Sequence, residues 1–180
     1  MSGKIELIPA VIIAVSLLAA ATDLLRGKIY NWLTVPVMVL GLIVSFQNGG
    51  WSAFGYSAAS IALGLALYGW MFLIRVMGAG DVKLLMALGA WGGLWFTFDV
   101  AALGVLLGGV MAAVLLTFKG RIAAFARQIY QFFLTLFVRE LEVQVPKIDR
   151  KLTMPYGVPI AAAAIWVALA NPFVKWGIHS

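Results

Sequence analysis

The chain has 180 residues, of which 63% are hydrophobic and only 11% are charged, and its formal net charge is +6 at pH 7. Soluble domains contain roughly half apolar and about a quarter charged residues, so this composition excludes a soluble globule, a disordered chain and a nucleic-acid module, and it indicates a membrane protein. The chain has no cysteine, which excludes disulfides, thiolate nucleophiles and cysteine-bound metals. With His179 as the single histidine, histidine-based metal sites and Ser-His catalysis are also disfavoured.

The apolar runs predict an all-α fold. Each helical crossing needs roughly 20 apolar residues, so this length allows about six crossings and leaves no room for a separate soluble domain. We therefore expect one transmembrane domain over residues 1–180, built as a polytopic bundle of six transmembrane helices. Their predicted bounds are Leu7–Thr22, Trp32–Phe46, Phe54–Met77, Val82–Phe98, Val100–Phe118 and Thr153–Val174.

The basic residues predict the orientation of these helices. Placing the first, third and fifth loops inside puts every one of the 13 Lys and Arg residues there except Lys4 and Lys175. Both termini are then outside, and the positive charge serves insertion and contact with anionic inner-leaflet lipid rather than nucleic acid. A cleaved signal peptide in the first run is disfavoured, because Arg26 and Lys28 would then follow it to the outside.

Residues 119–150 form the one long loop. Apolar residues recur there at three- and four-residue spacing between Ile122 and Phe137, which predicts an amphipathic helix in the cytoplasmic interface. A lipid-bound linker and a substrate-guiding role are both open for this segment. A seventh crossing is disfavoured, because Arg127 and Gln128 would lie in its middle.

Two of the seven acidic residues are expected at one membrane boundary. Asp23 closes the first predicted helix and Asp81 opens the fourth, so the topology allows them to meet at the inner face. The structural alternatives are an N-cap for Asp81 and an exposed partner of nearby basic residues for Asp23. Asp99 is expected in the short outer turn between the fourth and fifth helices. Water is expected to solvate Asp99 and the acids of the termini and loops, which are Glu6, Glu140, Glu142 and Asp149.

Three segments resemble the type IV prepilin peptidases, which are aspartic proteases of the bacterial inner membrane. Gly78-Ala79-Gly80-Asp81 resembles the GxGD signature of that family. The stretch from Asp23 to Asn31 is similar to its first catalytic-aspartate segment, D-x-x-x-x-x-I-P-N, with Tyr30 in place of the proline. Residues 154–159, which read MPYGVP, resemble the segment that opens the family's last span.

The resemblance implies that Asp23 and Asp81 are the catalytic acids. Two neighbouring carboxyl groups share a proton, so one acts as general base on a water while the other polarises the scissile carbonyl, and no metal or cofactor is implied. The implied substrate is a pilin precursor with a short basic class III leader peptide ahead of an apolar helix, cut at the cytoplasmic membrane boundary. Helix dipoles favour Asp81, at a helix start, as the base and Asp23, at a helix end, as the acid.

The chain is similar to the short, peptidase-only members associated with Flp or Tad-type pili. Bifunctional members carry an additional cytoplasmic domain with paired cysteines and also methylate the new N-terminus. This chain has no cysteine, so methyltransferase activity is not expected.

Other residues of the matched segments are expected to shape the site. Gly78 and Gly80 permit a tight turn and a close backbone approach to the carboxyl group. Lys83 is expected to reach lipid phosphates, with tuning of the acids or substrate contact as the second interpretation. Asn31 is expected to cap the second helix, with a hydrogen bond near the Asp23 loop as the second interpretation.

Pro155 and Gly157 are expected either to break the chain beside the site or only to mark the start of the last span. The non-enzymatic alternative is a transporter or a secretion or pilus assembly subunit that uses the acids for ion or proton binding, which predicts acids near the bilayer midplane. No H-E-x-x-H run supports a metalloprotease.

Overall fold

The computed structural model describes residues 2–74, 76–118 and 155–170, and its elements are α-helices. The prediction of a helical membrane protein is confirmed for this part of the chain. The helices are α1 (Ser2–Arg26), α2 (Asn31–Leu73), α3 (Ala79–Phe118) and α4 (Gly157–Ala170). By length and composition, three of them (α1, α2 and α3) are long and apolar enough to cross a membrane, and α4 is a shorter apolar helix. The amphipathic helix predicted over residues 119–150 lies outside the described residues.

A break in the middle of α2 reverses the chain. A straight helix of 43 residues would be about 65 Å long, roughly twice the apolar thickness of a bilayer. Helical geometry is interrupted at Gly49 and Gly50, and Gly50 has a φ of 62°. Gly41, before the break, packs against Ala90, and Ser57, after it, donates a 2.8 Å hydrogen bond to the Ala90 carbonyl. Because both sides meet the same residue of α3, α2 is a hairpin of two halves, 31–48 and 51–73.

A second break reverses α3. Gly93 has a φ of 85°, which glycine adopts readily, and it separates residues 79–92 from residues 94–118. Gly64 packs against the backbone of Met86, and one turn later the Tyr68 hydroxyl donates a 3.0 Å hydrogen bond to the Ala101 carbonyl. Met86 and Ala101 lie on opposite sides of Gly93, so α3 also folds back. Its last turns, 109–118, belong to a second compact unit.

α1 packs along α4. The buried residues of α1 recur every three or four positions and so form one face of the helix. The facing side of α4 is built largely from alanine, which lets the two helix axes approach closely. These buried residues are Ile12, Val15, Ser16, Ala19 and Asp23 in α1 and Ile160, Ala161, Ala163, Ala164 and Val167 in α4.

The six predicted runs correspond to α1, the two halves of α2, the two halves of α3, and α4, but the predicted turn at Asp99 is wrong. The chain reverses at Gly93, and Asp99 is helical and only 2% exposed. Hydropathy could not locate this break, because the residues on both sides of Gly93 are equally apolar. α1 likewise continues to Arg26, beyond the predicted end at Thr22, so Asp23 lies inside the helix.

Gly64→Val is expected to destabilise the protein by about 1–3 kcal/mol, because its Cβ would lie 3.3 Å from Met86 backbone atoms that cannot move independently of α3. Unfolding in detergent micelles measures the loss. Gly55→Val is the matched control in the same helical half, since a Cβ there meets nothing within 4 Å. Equal stability of the two variants would contradict the close packing of α2 on α3.

Candidate active site

Asp23 is fixed by the end of α1 and by the start of α4. Its carbonyl accepts a 2.8 Å hydrogen bond from the Gly27 N–H, and Gly27 has a φ of 62°, which is the usual glycine termination of a helix. Its side chain is 6% exposed, and Oδ2 accepts a 2.8 Å hydrogen bond from the N–H of Gly157, the first residue of α4. N–H groups at a helix start lack helical partners, so the carboxyl group of Asp23 satisfies one of them.

Asp81 lies in the first turn of α3. It is 8% exposed, and its Oδ2 accepts a 3.0 Å hydrogen bond from the Gly78 N–H. This bond runs from the residue before the helix to the third residue within it, as in a capping box. A Cβ at position 78 would lie 3.2 Å from the same oxygen, so glycine leaves room for the carboxyl group.

The two acids lie on either side of Ile29, which contacts both Gly80, the residue before Asp81, and Gly157, whose N–H binds Asp23. Each uses Oδ2 to accept a backbone N–H, and in the described part of the chain neither Oδ1 has a hydrogen-bond partner. Both acids therefore face the start of a helix, Asp23 that of α4 and Asp81 that of α3. The helix-dipole argument assigned Asp81 as the base and Asp23 as the acid because it considered only the helix to which Asp23 belongs. Since both acids bind the start of a helix, the argument no longer distinguishes their roles.

The turn between α1 and α2 lies between the two acids. Ile29 packs against Gly80 on α3, where a Cβ would lie 3.0 Å from Ile29 Cβ and 3.2 Å from its carbonyl oxygen. The same side chain reaches α4, because a Cβ at Gly157 would lie 2.8 Å from Ile29 Cδ1 and 2.8 Å from Asp23 Oδ2. Glycine at positions 80 and 157 thus allows three segments to meet beside the carboxyl groups.

Tyr30 occupies the position where the resembled family has proline. Its φ of −85° and ψ of 140° are close to the extended conformation that proline favours, so the backbone path is retained. The Tyr30 hydroxyl accepts a 3.1 Å hydrogen bond from Arg26, whose guanidinium lies 5.8 Å from the ring centroid. The departure from the motif therefore changes the side chain without changing the turn.

Lys83 and Asn31 are brought together across the turn. The Lys83 ammonium donates a 2.9 Å hydrogen bond to Asn31 Oδ1. The expectation that Asn31 caps the second helix is wrong, because the cap residue is Tyr30 and Asn31 is the first helical residue. This hydrogen bond joins two residues that are 52 positions apart in the chain, and the expected contact of Lys83 with lipid phosphates stays a prediction.

Pro155 lies directly before the turn that opens α4, and Gly157 joins the site through its N–H. The sequence analysis did not single out two partly or fully buried tyrosines. Tyr156 packs its ring against Gly108, and Tyr68 is fully buried in α2. An aromatic residue within the predicted last-span segment was the available signal for Tyr156.

No group of three or more His, Asp or Glu side chains in residues 2–74, 76–118 and 155–170 is placed to hold a metal ion. That the site works without a metal or a cofactor remains a prediction.

Comparisons with known proteins match the part of the chain that carries both acids. Residues 10–117 match the type IV leader peptidase family. A prepilin leader peptidase/N-methyltransferase from Xanthomonas campestris pv. campestris is 35% identical over 62% of this chain and 42% of its own length. A protein of the same name from Stutzerimonas stutzeri is 32% identical over 77% of this chain and 38% of its own length. Another from Burkholderia pseudomallei is 31% identical over 60% of this chain and 37% of its own length. The chain thus spans about two fifths of the length of these relatives, and no solved structure matches it significantly.

Asn31→Ala and Lys83→Met are each expected to lower stability by about 1 kcal/mol or less, because their hydrogen bond is exposed to solvent. The double variant is expected to lose no more than either single variant, since both changes remove one interaction. Unfolding of the four proteins in detergent gives the coupling. Lys28→Met removes a lysine of the same turn and is the control, since its loss of stability is expected to add to that of Asn31→Ala. Additive losses of stability for Asn31→Ala and Lys83→Met would show that their contact contributes nothing.

Proposed function

The chain belongs to the type IV leader peptidase family, and we propose that it is a membrane aspartic endopeptidase that removes the leader peptide from pilin precursors. The observation that carries the proposal is the convergence of Asp23 and Asp81. Both are almost fully buried, both lie within the segment that matches the family, and Ile29 packs against the glycine next to Asp81 and against the glycine whose N–H binds Asp23.

The geometry suits activation of a water molecule. In each acid, Oδ2 is held by a backbone N–H, which fixes the orientation of the carboxyl group. Among the described residues neither Oδ1 atom has a hydrogen-bond partner, so both are available to a water molecule. Two like charges repel in a site with little water, so the pair holds one proton, and one carboxylate and one carboxylic acid are available together.

The reaction then proceeds in two steps. The carboxylate takes a proton from water as the water oxygen bonds to the scissile carbonyl carbon, while the carboxylic acid gives its proton to the carbonyl oxygen. The resulting tetrahedral intermediate collapses when the newly protonated acid gives its proton to the leaving nitrogen and the C–N bond breaks. The hydroxyl proton returns to the other acid, so the pair ends with one proton as it began.

Six membrane crossings follow if each half of α2 and of α3 spans the bilayer. The breaks carry aromatic residues typical of a membrane interface, with Phe46, Trp51 and Phe54 in edge contact at the first break and exposed Trp95 beside the second. In these two hairpins, basic residues lie only at the ends opposite the breaks, as expected for a cytoplasmic face. Residues 31–74 contain no basic residue. Asp23, Asp81 and Gly157 then all lie at the cytoplasmic side of the inner membrane, and both termini lie outside.

This placement suits a precursor whose basic leader lies in the cytoplasm and whose apolar helix lies in the bilayer, because the bond between them would be at the depth of the acids. An anionic inner leaflet would offset the basic surface around the site. The ion-binding alternative is less favoured, since the acids lie in the last turn of α1 and the first turn of α3 rather than near the helix midpoints.

The proposal covers the peptidase step alone. The relatives are named for N-methyl transfer as well, but the resemblance ties that activity to paired cysteines, and this chain has none. Its similarity to the short Flp or Tad-type members makes an Flp-like pilin the proposed substrate.

Asp23→Asn and Asp81→Asn are each expected to lower cleavage of a precursor peptide by about 10²–10⁴-fold or more, because an amide cannot take up or supply the proton. Mass spectrometry of the detergent-solubilised protein with the peptide measures the single cut. Asp99→Asn is the matched control: it makes the same change at an equally buried acid beyond the Gly93 break, and cleavage is expected to persist. Normal cleavage by either active-site variant would overturn the proposal.

Single cysteines in the naturally cysteine-free chain test the orientation. Gln47→Cys, beside the first break, is expected to react with a membrane-impermeant maleimide in intact cells because that end faces outside. Lys28→Cys, in the acid-bearing turn, is expected to react only after the inner membrane is permeabilised. The reverse pattern would place the acids on the outer side.

A further inference from the structure

One side chain touches the surroundings of both acids. Ile29 packs its Cβ and carbonyl oxygen against Gly80, the residue directly before Asp81. Its Cδ1 reaches Gly157, whose N–H binds Asp23. Ile29 therefore fills the space between the start of α3 and the start of α4.

Neither Gly80 nor Gly157 has room for a Cβ on the side that faces Ile29. A Cβ at Gly80 would lie 3.0 Å from Ile29 Cβ, and one at Gly157 would lie 2.8 Å from Ile29 Cδ1, both closer than ordinary van der Waals contact. Packed interiors transmit such displacements rather than absorbing them, so Ile29 Cδ1 limits how closely the start of α4 approaches the turn, while Ile29 Cβ and backbone atoms limit the approach of α3.

The turn that carries Ile29 is held at both ends. On one side the Gly27 N–H bonds the Asp23 carbonyl, and on the other Asn31 accepts a hydrogen bond from Lys83. Ile29 thus lies between two hydrogen-bonded points, one at the end of α1 and one at Lys83 of α3, and each of these helices carries one of the two acids.

We propose that Ile29 is a positioning residue that sets the separation of the Asp23 and Asp81 carboxyl groups. It does not touch the reacting atoms in this role. It acts by keeping α3 and α4 apart at the distance where one water can contact both acids. The inference rests on the proposed peptidase function for its kinetic consequence, but the spacing itself can be measured without substrate.

The kinetic test uses graded truncation in the full-length protein. Ile29→Ala keeps the Cβ and backbone atoms that contact Gly80 and removes the Cδ1 contact with Gly157. It is expected to lower kcat for a precursor peptide by about 10–100-fold with KM within about twofold, because misplacing catalytic groups by about 1 Å costs this much without affecting distant substrate contacts. Ile29→Val also loses Cδ1 but keeps both Cγ atoms, so a smaller loss of kcat is expected.

Leu33→Ala is the matched control. Leu33 is buried one turn into α2, so its truncation removes comparable core packing without touching Gly80 or Gly157. We expect Leu33→Ala to lower the melting temperature at least as much as Ile29→Ala does while retaining kcat. Equal loss of kcat in both variants would show that Ile29 acts only as an ordinary core residue and would contradict the positioning role.

Spin labels on cysteines at Leu25 and Ala79 report the spacing of α1 and α3 directly, since both sites are exposed and the chain has no other cysteine. The distance distribution is expected to shift or broaden in Ile29→Ala and to stay unchanged in Leu33→Ala. An unchanged distribution in Ile29→Ala would overturn the inference. If the wild-type protein fails to cut the peptide, the proposed function fails, and the label distances still decide the role of Ile29.

Discussion

The structure depends on two backbone N–H groups that hold two buried carboxyl groups. A buried acid without a partner is costly, and two buried acids beside one turn add mutual repulsion when both are charged. The N–H groups of Gly157 and Gly78 offset part of this cost, and they are available because the first N–H groups of a helix have no helical acceptor. These two hydrogen bonds therefore stabilise an arrangement in which the start of α4 lies beside Asp23 and the residue before α3 binds Asp81.

This constraint explains the distribution of glycine around the acids. Gly78 leaves room for the Asp81 carboxyl group, and Gly80 and Gly157 leave room for Ile29 and for Asp23. The breaks at Gly50 and Gly93 let α2 and α3 fold into hairpins, and the α2 hairpin lets the chain turn back before it reaches Asp81. Glycine in this protein thus places two acids from distant parts of the chain beside one turn, where their combined chemistry serves proteolysis in the proposed function.

The sequence located the acids because a carboxyl group in a long apolar chain is rare and has few structural roles. The helical class and the family followed from composition and from three short motifs. The position of Asp99 did not, because hydropathy is continuous across Gly93 and only the backbone conformation reveals the break. Ile29 and the contact between Lys83 and Asn31 were also missed, since they depend on packing between segments that are far apart in the chain.

The most direct test of joint water activation is a structure of the protein bound to a precursor peptide whose scissile bond is replaced by a hydroxyethylene group. The hydroxyl of this analogue occupies the place of the attacking water in the tetrahedral intermediate. If Asp23 and Asp81 act together, the hydroxyl will lie within hydrogen-bond distance of both carboxyl groups, at about 2.5–3.0 Å. A peptide bound with its hydroxyl beside only one acid, or away from both, would contradict the two-acid mechanism.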